Sequence, residues 1–130
     1  MTGSSLADDA ISLPDDAAVE AAISDFARAV RKAYGPRVRG IYLFGSRARG
    51  DHTKESDADI AVVLADGESR SWAEMKRLAD IAYDFIVSTG AGIEAWPVPE
   101  SAWKDPGGHV DEALFAAMRR DARPIEVPDG

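Results

Sequence analysis

LFGSRARGDHTKESDADIAVVL, residues 43–64, holds a glycine-rich turn and a pair of aspartates, and the interval between them decides how the chain is read. In the second half, Asp57 and Asp59 stand two apart at the head of an apolar run, so in a strand they project to the same side. Ala58, Ile60, Val62 and Leu64 then form the core-facing side. Two carboxylates on one face repel unless a positive charge sits between them, and Mg²⁺, a hard cation that takes carboxylate and phosphate oxygens, suits that place. An isolated Asp-x-Asp also fits a strand that merely begins at the solvent edge. In the first half, an apolar strand runs into Gly45-Ser46. Backbone N–H groups at such a turn, with a serine hydroxyl, can hold a phosphate, and Arg47 and Arg49 add charge that could equally be surface charge. This is not a P-loop, because no Gly-Lys-Ser/Thr follows, and the middle glycine of a dinucleotide fingerprint is missing.

Outward from this stretch the periodicity is regular. Pro14 and the aspartates of LPDDAAVE suit a first helical turn. Val19, Ile23, Phe26 and Val30 then recur at helical spacing until Gly35-Pro36. VRGIYLF (38–44) and DADIAVVL (57–64) read as strands, the second closed by Asp66-Gly67. SWAEMKRLADIAYDFIVSTG (71–90) reads as a helix with Ser71 and Glu74 as a capping box. Its apolar face is Trp72, Met75, Leu78, Ala82 and Phe85, and Gly90 is its exit. GIEAWPV (92–98) is a third strand, with Pro97 marking an edge or an end. HVDEALFAAMRR (109–120) is a last helix with Val110, Leu114 and Met118 on one face. The order predicts a small α/β domain.

The 130 residues, 45% of them hydrophobic, can bury a core without staples, and the absence of cysteine excludes disulfides and thiolate metal sites. Residues 1–25 carry six acids and no base, leaving the remainder near neutrality within a net charge of -8. That balance argues against general nucleic-acid binding, which wants a basic face. Residues 1–13 are expected to be a disordered acidic terminus and 14–130 one domain. With no leader and no membrane-length apolar run, the expected location is cytoplasmic. The two histidines, His52 and His109, show no ligand spacing, the three tryptophans are expected in or around the core, and Arg119, Arg120 and Arg123 suit a last helical turn.

Taken together, Gly-Ser, two residues, Arg-Gly, five residues, Ser and then Asp-x-Asp on a strand resembles the signature of the DNA polymerase beta-like nucleotidyltransferases. In pattern and size the chain is most similar to the minimal nucleotidyltransferases, small proteins often encoded beside a HEPN partner. The resemblance implies a small mixed β-sheet flanked by helices. It implies a nucleotide grip at Gly45 and Ser46, with Arg49 and Ser56 at further motif positions of the nucleotide site. It also implies two Mg²⁺ ions held by Asp57 and Asp59, and a third acid on a later strand. Glu94 matches that acid by position, as a glutamate where the family usually has aspartate. The implied activity is Mg²⁺-dependent transfer of a nucleoside monophosphate, AMP from ATP, to a hydroxyl. The acceptor would belong to a HEPN-type toxin or to a small molecule. A non-catalytic nucleotide- or toxin-binding module is the alternative, and Glu94 discriminates between them.

Overall fold

A computed structural model describes residues 13–67 and 71–126, without the side chain of Ser71. All but the last residue of the acidic terminus expected over 1–13, and the serine half of the capping box, therefore lie outside the described residues. Helix α1 (Asp16–Tyr34) starts where the carboxylate of Asp15 accepts the Ala18 N–H at 2.8 Å. It stops at Gly35, whose φ of 60° only glycine adopts freely. A 3₁₀ turn (Gly35–Arg37) leads into strand β1 (Val38–Phe44), the one-turn helix α2 (Ser46–Arg49) and strand β2 (Ala58–Leu64). Then come α3 (Ser71–Thr89), β3 (Ile93–Pro99), α4 (Glu100–Lys104), α5 (Glu112–Asp121) and the two-residue strand β4 (Arg123–Pro124).

The four strands form a mixed sheet in the order β3-β2-β1-β4. β1 is antiparallel to both β2 and β4, whereas β2 and β3 are parallel, a pairing that needs a crossover, here α3. β3 is thus an edge strand, the first of the two readings that Pro97 allowed, and Pro97 lies inside it rather than at its end. α1 and α3 cover one face. There Val19, Ile23, Phe26 and Val30 meet Leu78 and Ala82 over Ala58, Ile60, Val62 and Leu64. Phe26 and Phe85 meet edge to face at 6.2 Å. Each fully buried side chain of this size contributes about 1.5–3 kcal/mol from leaving water, which sets this layer as the main store of stability.

The sheet's other face is also covered, which the alternation in DADIAVVL did not suggest. Ala61, Val63 and Val98 are buried beneath Ala102 of α4 and Phe115 and Met118 of α5, with Tyr42, Phe44, Trp96 and Trp103 packed around them. Tyr42 and Trp103 stack at 4.6 Å.

Three expectations are corrected. Val110 lies in the turn before α5 and is 98% exposed, and Leu114 is exposed as well. The helix is anchored by Phe115 and Met118 instead, because its face is set by the second sheet surface. On α3, Trp72 and Met75 are exposed, and Trp72 therefore does not join the core. The buried line is Glu74, Leu78 and Ala82, turned inward by Glu74, which accepts hydrogen bonds from Tyr34 Oη at 3.2 Å and Arg37 Nη2 at 2.6 Å. Burial beside this carboxylate pushes the Tyr34 phenol up to about 12. Finally, Asp57 precedes β2 rather than opening it. No helix among the described residues is long and apolar enough to cross a membrane.

Candidate active site

The Gly-Ser turn forms because β1 ends at Phe44 and Gly45 takes φ 75°, a value in the left-handed region. The Gly45 carbonyl accepts the N–H groups of Ala48 and Arg49, both at 3.1 Å, closing α2, and Gly50 at φ 87° ends it. The N–H groups of Ser46 and Arg47, at the start of this turn, have no partner within it, as at any helix start.

Strand register brings the carboxylates to this turn. Antiparallel pairing sets Asp59 opposite Phe44, and parallel pairing sets Glu94 beside Asp59. Glycines make the room. A Cβ on Gly45 would stand 2.5 Å from Asp59 Oδ2, and a Cβ on Gly92 would overlap Asp57 Oδ1. Asp59 is pushed up to about 6, first by burial, then by the charges of Glu94 and Asp57, with Arg49 opposing. Three carboxylates thus share one end of the sheet with more negative charge than their surroundings compensate. Their side chains are not drawn into a compact set, and among the described residues no group of three or more His, Asp or Glu is gathered closely enough to hold a metal ion. The donor chemistry nevertheless fits Mg²⁺: hard oxygens, uncompensated charge, and an adjacent turn suited to phosphate. Glu94 itself is exposed and opens onto a trough of about 190 Å³ between α3 and β3, lined by Met75, Ala79, Ile86, Ile93 and Trp96.

The two arginines of the motif play different parts. Arg47 is buried, its side chain 4% exposed. Its Nε donates to the Ser56 carbonyl at 2.9 Å, Nη2 to the Thr53 carbonyl at 3.4 Å, and Nη1 to Asp16 at 3.3 Å. It therefore ties the Gly-Ser turn to the loop that delivers Asp57. Ser56 serves the same loop, since its hydroxyl oxygen accepts the Thr53 N–H at 2.9 Å. Arg49 lies at the surface, donating from Nη1 to Asp121 at 2.8 Å and from Nε to Asp51 at 3.2 Å. His52 meets Asp16 at 3.1 Å, and this contact, with the Arg47 guanidinium, holds the Asp16 carboxyl below its usual range.

Gly92, Arg47 as a buried tie, and Asp121 were not singled out from sequence. A glycine just before the third strand is the one signal that could have pointed to Gly92. A buried arginine looks like any other in a sequence.

The mixed sheet, with a Gly-Ser turn set against Asp59 at adjacent strand ends, has the layout of a nucleotidyltransferase domain. Comparison agrees: the model of the nucleotidyltransferase domain family matches residues 23–115, and the chain belongs to that family. Two Methanocaldococcus jannaschii proteins, each named as a candidate protein adenylyltransferase, are similar to it. MJ0604 is 52% identical over 44 residues, 34% of this chain and 44% of that protein. MJ1305 is 32% identical over 71 residues, 55% of this chain and 48% of that protein. The chain thus spans less than half the length of these curated relatives. Among solved structures, a Sulfolobus solfataricus protein described as a candidate nucleotidyltransferase shares the fold with a TM-score of 0.55 at 22% identity, over 82% of this chain and 78% of that one. A toxin–antitoxin structure with AMP-PNP gives 0.54 at 18% identity, over 82% and 74%.

Proposed function

We propose that the chain transfers AMP from ATP to a hydroxyl acceptor, in the cytoplasm, with Mg²⁺ held by Asp57, Asp59 and Glu94. The observation that carries this reading is the register: the Gly-Ser turn, Asp59 and Glu94 fall side by side on three neighbouring strands. When bound, Mg²⁺ would neutralise charge developing on the phosphate oxygens. The chain's own part is positioning. The N–H groups that the turn itself leaves unbonded and the Ser46 hydroxyl hold the phosphates against the turn, and Arg49 adds a guanidinium beside them. The acceptor enters beside exposed Glu94. Its oxygen bonds to the α-phosphorus, the bond to pyrophosphate breaks, and the hydroxyl proton passes to a carboxylate.

The nucleotide and the acceptor rest on family resemblance. The named function of the jannaschii relatives supports protein adenylylation. The shared fold with toxin–antitoxin chains makes a HEPN-type toxin the first acceptor to test. Labelled ATP, Mg²⁺ and such an acceptor, incubated with wild type and with Asp57→Asn/Asp59→Asn, test the reading. Label transfer is expected from wild type alone, and equal transfer by the double variant overturns it. The exposure of Glu94 and the open arrangement of the carboxylates favour one second reading, a nucleotide-binding module. Wild type that binds ATP and labels no acceptor selects it.

A further inference from the structure

Asp121 closes α5, and only Ala122 separates it from β4, which pairs alongside Tyr42 and Leu43 of β1. α5 is fixed at Phe115 and Met118 in the second core layer. The Asp121 carboxylate therefore sits on a rigid support, its side chain only 11% exposed, between two anchored elements. Its Oδ1 accepts from Arg120 Nε at 3.3 Å, and its Oδ2 accepts from Arg49 Nη1 at 2.8 Å across 72 residues of sequence. Asp51 holds Arg49 Nε. Two of the three guanidinium nitrogens are thus fixed, and Nη2 makes no hydrogen bond to the described residues. A guanidinium offers five N–H donors in a rigid fork, so one held at its Nε and one Nη still has donors for a phosphate.

We infer that Asp121 is a positioning residue: from the far end of the chain it orders Arg49 so that the free side of the guanidinium meets the phosphates of the bound nucleotide. The inference rests on the nucleotide site proposed above. A free arginine must be immobilised when the nucleotide binds, whereas one already held avoids that cost. The same link makes the nucleotide grip sensitive to α5, since a shift of that helix loosens Arg49 without touching Gly45 or Asp59.

The test is binding of Mg·ATP by calorimetry to the full chain, to Asp121→Asn, to Arg49→Gln and to the double variant. Asp121→Asn is expected to weaken binding about 3- to 10-fold, the cost of immobilising one long side chain. In the Arg49→Gln background the same change is expected to add less than about 2-fold, because a positioning residue has no effect once its target is gone. Equal losses in both backgrounds mean a general structural role and overturn the inference, as does unchanged or tighter binding by Asp121→Asn. Nuclear magnetic resonance of the wild-type arginine side chains gives a check that needs no variant. Restricted rotation of the Arg49 guanidinium before ATP is added supports the inference, and free rotation overturns it. Wild type that binds no Mg·ATP overturns both this inference and the proposed function. Wild type that binds Mg·ATP but transfers nothing overturns the transfer reaction alone.

Discussion

Gly92→Ala is a clean probe of the aspartate pair, because only space opposes it. Gly92 does not have a positive φ, so its backbone accepts alanine without strain, unlike Gly45. The new Cβ would overlap Asp57 Oδ1 and stand 3.1 Å from Cγ. Asp57 must swing its carboxylate away by roughly 1 Å, a displacement that in an active site costs about 100-fold in rate. The atom displaced is the end of a flexible side chain, so the stability cost stays near the low end for overpacking, about 1 kcal/mol. That lowers Tm by roughly 3–5 °C in a chain of this length. Gly67→Ala is the control, since among the described residues its Cβ would meet nothing closer than the Ala65 carbonyl at 3.9 Å. Thermal unfolding and label transfer, run on all three proteins, decide the matter. The expected pattern is a small Tm loss with a large activity loss for Gly92→Ala and neither for Gly67→Ala. Wild-type transfer by Gly92→Ala refutes the reasoning outright. A Tm loss beyond about 10 °C refutes it differently, by showing that the substitution damages the fold as a whole.

Three further predictions concern the same end of the sheet. Asp59, raised from 3.8 to about 6 in the fold, is ionised more reluctantly there than in the unfolded chain. Its contribution therefore leaves the fold unpenalised below pH 3.8, and stability falls as pH rises through 3.8 to 6. Asp59→Asn is expected to raise Tm at pH 7.5, with the gain fading toward pH 4. Mg²⁺ is expected to raise wild-type Tm above pH 6 and progressively less below it, as protons compete for the carboxylates. A Mg²⁺ effect independent of pH speaks against Asp59 as a ligand. Arg47→Met keeps much of the buried stem but strands the Ser56 and Thr53 carbonyls. The expected loss is about 2–4 kcal/mol, with faster amide exchange over residues 51–57. Unchanged exchange there would show that the loop does not depend on Arg47.

Where the sequence was legible, the reason is local. Val19, Ile23, Phe26 and Val30 keep strict helical spacing and are all buried. Pro97 cannot donate to a ladder and falls on the edge strand. The separation between Gly45 and Asp59 is the one-turn helix and loop that join two antiparallel strands, so the meeting of turn and aspartate follows from a single local connection. The second core layer was less visible, although Ala61, Val62, Val63 and Leu64 form the unbroken apolar run expected of a strand covered on both sides. Its cover is made of α4, too short to show a period, and α5, whose inward face depends on what it packs against. Glu74 shows the same limit, since a carboxylate in a helix pattern reads as solvent-facing until Tyr34 and Arg37 arrive from other elements. Arg47 and Asp121 act through contacts between distant segments, and no spacing within either segment encodes them.

Both borders of the sheet carry proline: Pro97 and Pro99 on β3, Pro124 on β4. An imino residue has no N–H with which to recruit a neighbouring chain, and β4 is only two residues long. The borders are thereby blunted against edge-to-edge stacking, the route by which exposed strands seed aggregates. A small sheet whose polar end gathers Asp57, Asp59 and Glu94 is thus protected along its borders. Stable association with another molecule then has to be built from side-chain surfaces rather than by lengthening the sheet at those prolines.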